Sequence, residues 1–184
     1  MNKKTLMDAA VFVVLVGLCL AGRLVPHAAN LAPVLAVALF AGFYFQRKAV
    51  AILVPLASLA ISDAVIGGYD VRMMIVVYLA FMFPLVYRRF LRAKLAPLRV
   101  GVCALSASAV FFVSTNFAVW AWGGWYAPTA EGLIQCYAAA LPFLRNTACG
   151  DLLWSAVLFG GYVLAIRLSR APEFAGQPST RTSA

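Results

Sequence analysis

Six apolar runs, parted by short polar or basic stretches, take up most of the chain: Leu6–Leu24, Leu31–Phe45, Ala49–Gly67, Met73–Tyr87, Arg99–Trp122 and Asp151–Leu168. A helix that crosses lipid needs about 20 mostly apolar residues, so six such runs nearly exhaust a chain of this size. The composition agrees. Of the 184 residues, 64% are hydrophobic and 11% charged, too little charge to cover the surface of a soluble domain. The expected organisation is one transmembrane domain over residues 1–170. The tail, residues 171–184, is rich in Pro, Gly, Ser and Thr and reads as a disordered cytoplasmic segment. The first run follows Lys3 and Lys4 as a signal peptide would, but it is long enough to span, and Leu18 before Cys19 does not suit a lipoprotein cleavage site.

The charges say which ends face inward. In a soluble protein a net charge of +9 would raise a nucleic-acid reading, but here the basic residues sit between apolar runs and no nucleic-acid motif is present. With the N-terminus inside, the inner segments hold Lys3, Lys4, Arg47, Lys48, Arg88, Arg89, Arg92, Lys94, Arg99, Arg167, Arg170 and Arg181, twelve of the fifteen basic residues. Arg23, Arg72 and Arg145 are left outside as exceptions. Positive charge collects on cytoplasmic loops, and this asymmetry closes only with an even number of spans. The predicted fold is therefore an all-α membrane protein: a six-transmembrane-helix bundle, multi-pass, with both termini cytoplasmic. Residues 123–150, aromatic and semi-polar, are expected to form an outer re-entrant or capping piece, with a short helix over Glu131–Leu141 ended by Pro142.

Unusual polar residues gather on the outer side. Arg23, His27 and Asn30 lie at the first turn, Asp63 near the end of the third run, and Tyr69, Asp70 and Arg72 in the next loop. Tyr78, Asn116, Trp120, Trp122, Trp125, Tyr126, Arg145, Asn146 and Asp151 complete the set. An ionisable group at membrane depth costs about 2.5–3.5 kcal/mol on insertion scales, so Asp63, Arg145 and Asp151 need partners or a cavity. A structural ion pair of Asp63 with Arg145 and a ligand-site role are both open, and they are compatible. His27, the one histidine, suits either structural hydrogen bonding or single axial ligation. The tryptophans fit an interfacial belt or a pocket wall, and Met73 and Met74 fit helix packing. The four-residue spacing of Ala32 with Ala36 and of Ala38 with Gly42 favours close helix packing.

Conventional chemistry has no signature here. There is no His-Glu-x-x-His, Gly-x-Ser-x-Gly or phosphate-binding glycine loop, so an enzyme is not expected and the chain has no nucleotide site of its own. Cys19, Cys103, Cys136 and Cys149 form no CxxC pair, which disfavours zinc. Cys19 and Cys103 sit in apolar runs as packing residues, while Cys136 and Cys149 leave a disulfide open.

The string Arg23-Leu24-x-Pro26-His27-x-x-Asn30-x-x-Pro33, then Ala38-Leu39-Phe40, Pro55-Leu56, Ser62-Asp63 and Tyr78, carries a resemblance. So do Thr115-Asn116-Phe117-Ala118-Val119-Trp120, Gly132-Leu133, Cys136-Tyr137, Pro142-Phe143, Arg145-Asn146 and Gly150-Asp151. Across residues 20–165 the chain resembles a family of small bacterial membrane proteins of unassigned function (DUF6580-like). It is similar in turn to the substrate-binding S components of energy-coupling-factor vitamin transporters, especially the solitary vitamin B12 group. The resemblance implies a six-helix bundle that binds a vitamin near the outer face for uptake, with cobalamin as transported ligand rather than resident cofactor. It implies a lipid bilayer, a small-molecule vitamin and an energising membrane partner as the partners. The implied ligand-binding set is His27, Asp63, Met73, Tyr78, Asn116, Trp120, Tyr126, Arg145 and Asp151. Members of the cobalamin group can carry a cobalt-ligating cysteine where this chain has Met73, five residues before Tyr78, which leaves Met73 and His27 as the candidate axial ligands. The first helix has only Ala9 and Ala10 in place of an Ala-x-x-x-Ala docking motif. The alternatives are a non-transport accessory or assembly protein, or uptake of another small vitamin or a metal-containing ligand.

Overall fold

The computed structural model describes residues 2–25 and 31–170. The expectations for His27, Asn30 and the tail at 171–184 lie outside those residues. Among the described residues the protein is all-helical. Helix α1 spans Lys3–Leu24, α2 Val34–Tyr44, α3 Lys48–Ile66, α4 Val71–Met82, α5 Arg88–Ala93, α6 Pro97–Trp122 and α7 Ala130–Arg170. A 3-10 stretch, Phe83–Tyr87, joins α4 to α5. Pro84 has no N–H to give to an α-helical bond, so the rod tightens there and resumes, giving one continuous 23-residue apolar segment from Val71 to Ala93. Five segments are long and apolar enough to cross a membrane; α2, with 11 residues, is shorter.

Helix α2 sets the architecture. It is apolar all round, and a helix of that kind has to be surrounded. Val34 through Gly42 are all buried, and α1, α3, α6, α7 and the 3-10 stretch pack on it. At 1.5 Å per residue α2 is about 16 Å long, half of a hydrocarbon core of about 30 Å. The sequence suggests a run from Leu31, but the helix starts only after Pro33. Leu31–Pro33 is therefore non-helical backbone, with Pro33 buried and Leu31 and Ala32 partly buried beside a cavity, a setting in which such backbone is tolerated within a membrane protein.

Small residues let that backbone in. A Cβ on Gly22 of α1 would come within 2.3 Å of the Pro33 ring, and one on Gly150 of α7 within 3.3 Å of Leu31 Cα. The Trp154 indole N–H donates to the Leu31 carbonyl at 3.0 Å. At the far end of α2, Gly42 lies against Leu85 of the 3-10 stretch. The four-residue spacing of small residues thus serves internal packing, with Ala36, Ala38 and Gly42 all buried.

The start of α2 has no side-chain cap from its own neighbours, its end is closed by the Phe45 N–H on the Ala41 carbonyl, and charged side chains from elsewhere lie at both ends. Pro33 offers no side-chain cap; instead the buried Asp151 carboxylate faces the Ala36 N–H. At the other end Arg92 donates to the Phe43 carbonyl at 2.7 Å and the Gln46 side chain at 3.0 Å, and Arg88 donates to the Gln46 carbonyl. A carboxylate at a helix N-terminus and guanidiniums at its C-terminus both complement the helix dipole.

Helix α7 corrects the expected cap. No separate helix ends at Pro142; one 41-residue helix runs through it, with Pro142 inside and exposed. Its first half lies along α6 rather than across the bundle. The Tyr137 hydroxyl donates to the Val113 carbonyl at 2.7 Å, and the Tyr137 ring packs edge-on to Phe112. Packing on α6 holds this half of α7 alongside the bundle on the N-terminal side of Pro142. Cys136 and Cys149 are both free, one buried and one exposed. Thirteen residues apart on one helix, they sit about 20 Å from each other and cannot pair.

Gly22→Ala should lower the thermal midpoint of the detergent-solubilised protein, a loss of about 1–3 kcal/mol from overpacking against Pro33. Gly161→Ala, where a Cβ meets open space, should be neutral or stabilising.

Candidate functional site

The basic residues gather at one end of the bundle, where Arg92 meets Gln46, Lys3 and Lys4 share a surface with Tyr44 and Tyr162, and Arg167 lies beside Leu95. The opposite end holds the candidate site. A cavity of about 280 Å³ lies among Gly22 and Arg23 of α1, Leu35 of α2, Phe111 of α6, and Thr147 and Asp151 of α7. A second cavity, about 210 Å³, shares Phe111 and Thr147 with the first and reaches Asn116.

Two polar clusters border the larger cavity. In the first, the Arg23 guanidinium pairs with the Asp63 carboxylate, which also accepts from the Tyr78 hydroxyl at 3.0 Å. Asp63 is buried, and the Arg23 side chain is only 16% exposed. Three helices, α1, α3 and α4, are tied together by this one carboxylate. The Arg23 Nε is buried with no hydrogen-bond partner among the described residues, and Arg23 lines the cavity. A buried, unmatched donor of this kind costs free energy unless something accepts from it. In the second cluster Asp151, 2% exposed, accepts from the Ser108 hydroxyl at 2.6 Å while facing the start of α2.

The structure assigns the Asp63 pair differently from the sequence expectation. Its partner is Arg23, not Arg145, which is exposed and makes no ion pair among the described residues. The reason is position. Arg23, in the last turn of α1, and Asp63, one turn before the end of α3, reach the same level of the bundle. Arg145 lies on an exposed face of α7. Arg72, another basic exception at this end, pairs with Asp70 at 3.0 Å and stacks its guanidinium over Trp122 at 5.7 Å.

Of the remaining candidates, Asn116 borders the smaller cavity but spends its amide on the Phe112 carbonyl at 2.8 Å. Trp120 donates to the Ala127 carbonyl at 3.0 Å, closing the loop between α6 and α7, where Tyr126 is half-buried and lines neither cavity. Trp122 and Trp125 are exposed. Met73 sits in the first turn of α4, its N–H given to the Asp70 cap, and lines neither cavity. Among the described residues no group of three or more His, Cys, Asp or Glu comes together as a metal site. In the loop before α4, burial and then the Asp63 charge push the Tyr69 phenol above its ordinary range. The hydrogen bond from Arg72 holds the exposed Asp70 carboxyl below its ordinary range. Arg23, Ser108, Phe111 and Thr147 are site residues that the sequence did not single out as ligand contacts. Arg23 alone had a signal, as one of three arginines on the wrong side of the charge rule.

A bundle with a buried arginine and two buried carboxylates around a cavity at its non-basic end is what the fold defines. A family model described as "Family of unknown function (DUF6580)" matches residues 3–174, and the chain belongs to that family. No curated protein and no solved structure matches it.

Removing Asp63 alone leaves Arg23 buried without a counter-charge. Asp63→Leu should therefore cost about 3–5 kcal/mol, and Arg23→Met with Asp63→Leu together should recover most of that. Thermal midpoints of the two single variants and the double variant in detergent check the coupling.

Proposed function

We propose that this protein is a substrate-binding membrane component for uptake of a vitamin-sized molecule, entering from the end of the bundle opposite the basic residues. One observation carries the reading: a cavity of about 280 Å³, lined by Arg23, whose buried Nε has no partner among the described residues, lies beside the buried start of the half-length helix α2. Interrupted helices at mid-depth, with a polar cavity at the break, suit the binding of a small solute during alternating access. The Arg23 guanidinium favours a ligand that carries a carboxylate, a phosphate or a carbonyl group.

The cavity favours a small ligand. Together with its neighbour behind Phe111 and Thr147 it offers room of the order that small-molecule sites use, about 300–1,000 Å³. Cobalamin, which the sequence resemblance implies, is larger than this space. It would need the walls to part, and Met73 stands away from the cavity. In this reading both termini and the basic end face the cytoplasm, six segments count as spans with α2 as the short central one, and the membrane is the bacterial cytoplasmic membrane. The chain has no nucleotide-binding motif, so energy would come from a membrane partner or an ion gradient.

Binding of a vitamin panel to the purified protein by calorimetry tests the proposal, with a visible absorbance spectrum taken for cobalamin. The expected outcome is binding of an acid-bearing small vitamin that Arg23→Gln weakens tenfold or more, about 1.4 kcal/mol. A shifted corrinoid spectrum would restore cobalamin. No binding by any member would move the protein to an accessory or assembly role. The orientation has its own test. A membrane-impermeant maleimide should label Trp125→Cys on intact cells, and Arg47→Cys only after permeabilisation; Cys149, exposed at the outer half, is first replaced by serine.

A further inference from the structure

We propose that the groove between α6 and α7 binds one anionic phospholipid of the leaflet at the basic end, its acyl chain in the groove and its phosphate on Arg167. The groove holds about 660 Å³ and runs from Leu152 to Arg167 on α7, facing Pro97–Gly101 at the start of α6. Fifteen residues of helix measure about 22 Å, longer than the acyl layer of one leaflet, about half of 30 Å. The groove exists because the facing residues are small. A Cβ on Gly160 meets nothing within 4 Å, and Ala156 and Gly101 continue the same shallow floor.

In a bilayer a void of this size beside two spans fills with the solvent at hand, which is lipid. The choice of lipid comes from charge. Arg167 stands at the mouth of the groove, exposed, with no ion pair or hydrogen bond among the described residues, and no carboxylate lines the groove. Lys94 is exposed next to the lining residue Leu95. A basic mouth over an apolar groove between helices matches a lipid phosphate above its own chain. Ser155 is the one uncharged polar side chain in the lining, and its hydroxyl is buried without a partner among the described residues. That hydroxyl can turn to the carbonyl one helical turn back, so it does not require a polar occupant.

The test uses the full chain in detergent, with thermal midpoints measured after adding phosphatidylglycerol or phosphatidylcholine of matched chains. Phosphatidylglycerol should raise the wild-type midpoint more than phosphatidylcholine does. Arg167→Gln should erase the difference between the two lipids, and Gly160→Leu, which fills the groove, should erase the shift from both. Native mass spectrometry supplies a second readout: wild type should retain one phosphatidylglycerol per chain and Arg167→Gln should lose it. Equal shifts from both lipids in wild type would overturn the proposal. So would reproduction of the shift by inorganic phosphate alone. A lipid-independent dimer that Gly160→Leu dissociates would assign the groove to a second copy of the chain instead.

Discussion

The structure depends on the electrostatic completion of α2 by residues remote from it in sequence. A buried apolar helix of 11 residues leaves unpaired N–H groups at one end and unpaired carbonyls at the other, and the residues flanking it, Pro33 and Phe45, are buried. The buried Asp151 carboxylate lies by the first end, and Arg92 donates to the Phe43 and Phe45 carbonyls at the second. Because those groups belong to α7 and α5, their positions tie these two elements to the centre. Packing then follows from the need to cover Val34 through Gly42 on every side.

The same arrangement accounts for where the cavity lies. A full-length second span would fill the non-basic half of the bundle with its own side chains. A half-length one leaves that half to Leu31–Pro33 backbone, to Gly22 and Gly150, and to the space beside them. Arg23, Asp63 and Tyr78 brace the rim from three helices. Stability and the candidate site thus draw on one feature, and Asp151 takes part in both.

Much of the fold was legible in the sequence, since hydropathy and charge report directly on spans. The apolar runs mark α1, α3 and α6 to within three residues at their starts, and Pro97 and Lys48 begin helices where the polar stretches end. Two features were not legible. Leu31 and Ala32 are as apolar as the helix after them, so nothing in hydropathy shows that α2 begins at Val34. Pro142 reads as a stop by local rules, yet α6 lies alongside and carries α7 through it. The site was legible as a gathering of polar residues at one end, but not as pairs. Arg23 and Asp63 are forty positions apart, and no periodicity links them. Arg145 shares the chemistry of Arg23 and lies on a different face, a distinction that only the packing of α7 makes.

The remote capping of α2 also bears on how the chain is made. Ribosomes deliver α2 more than a hundred residues before Asp151 and Trp154 emerge. Until then the Leu31–Pro33 backbone and the first turn of α2 lack their partners, and hydrocarbon supplies none. Early in synthesis that segment belongs at the water-facing margin of the membrane or within the translocation machinery. It settles inward only when the final helix arrives. The centre of this protein is thus the last part to be assembled, and a chain halted before residue 151 is missing its middle as well as its end.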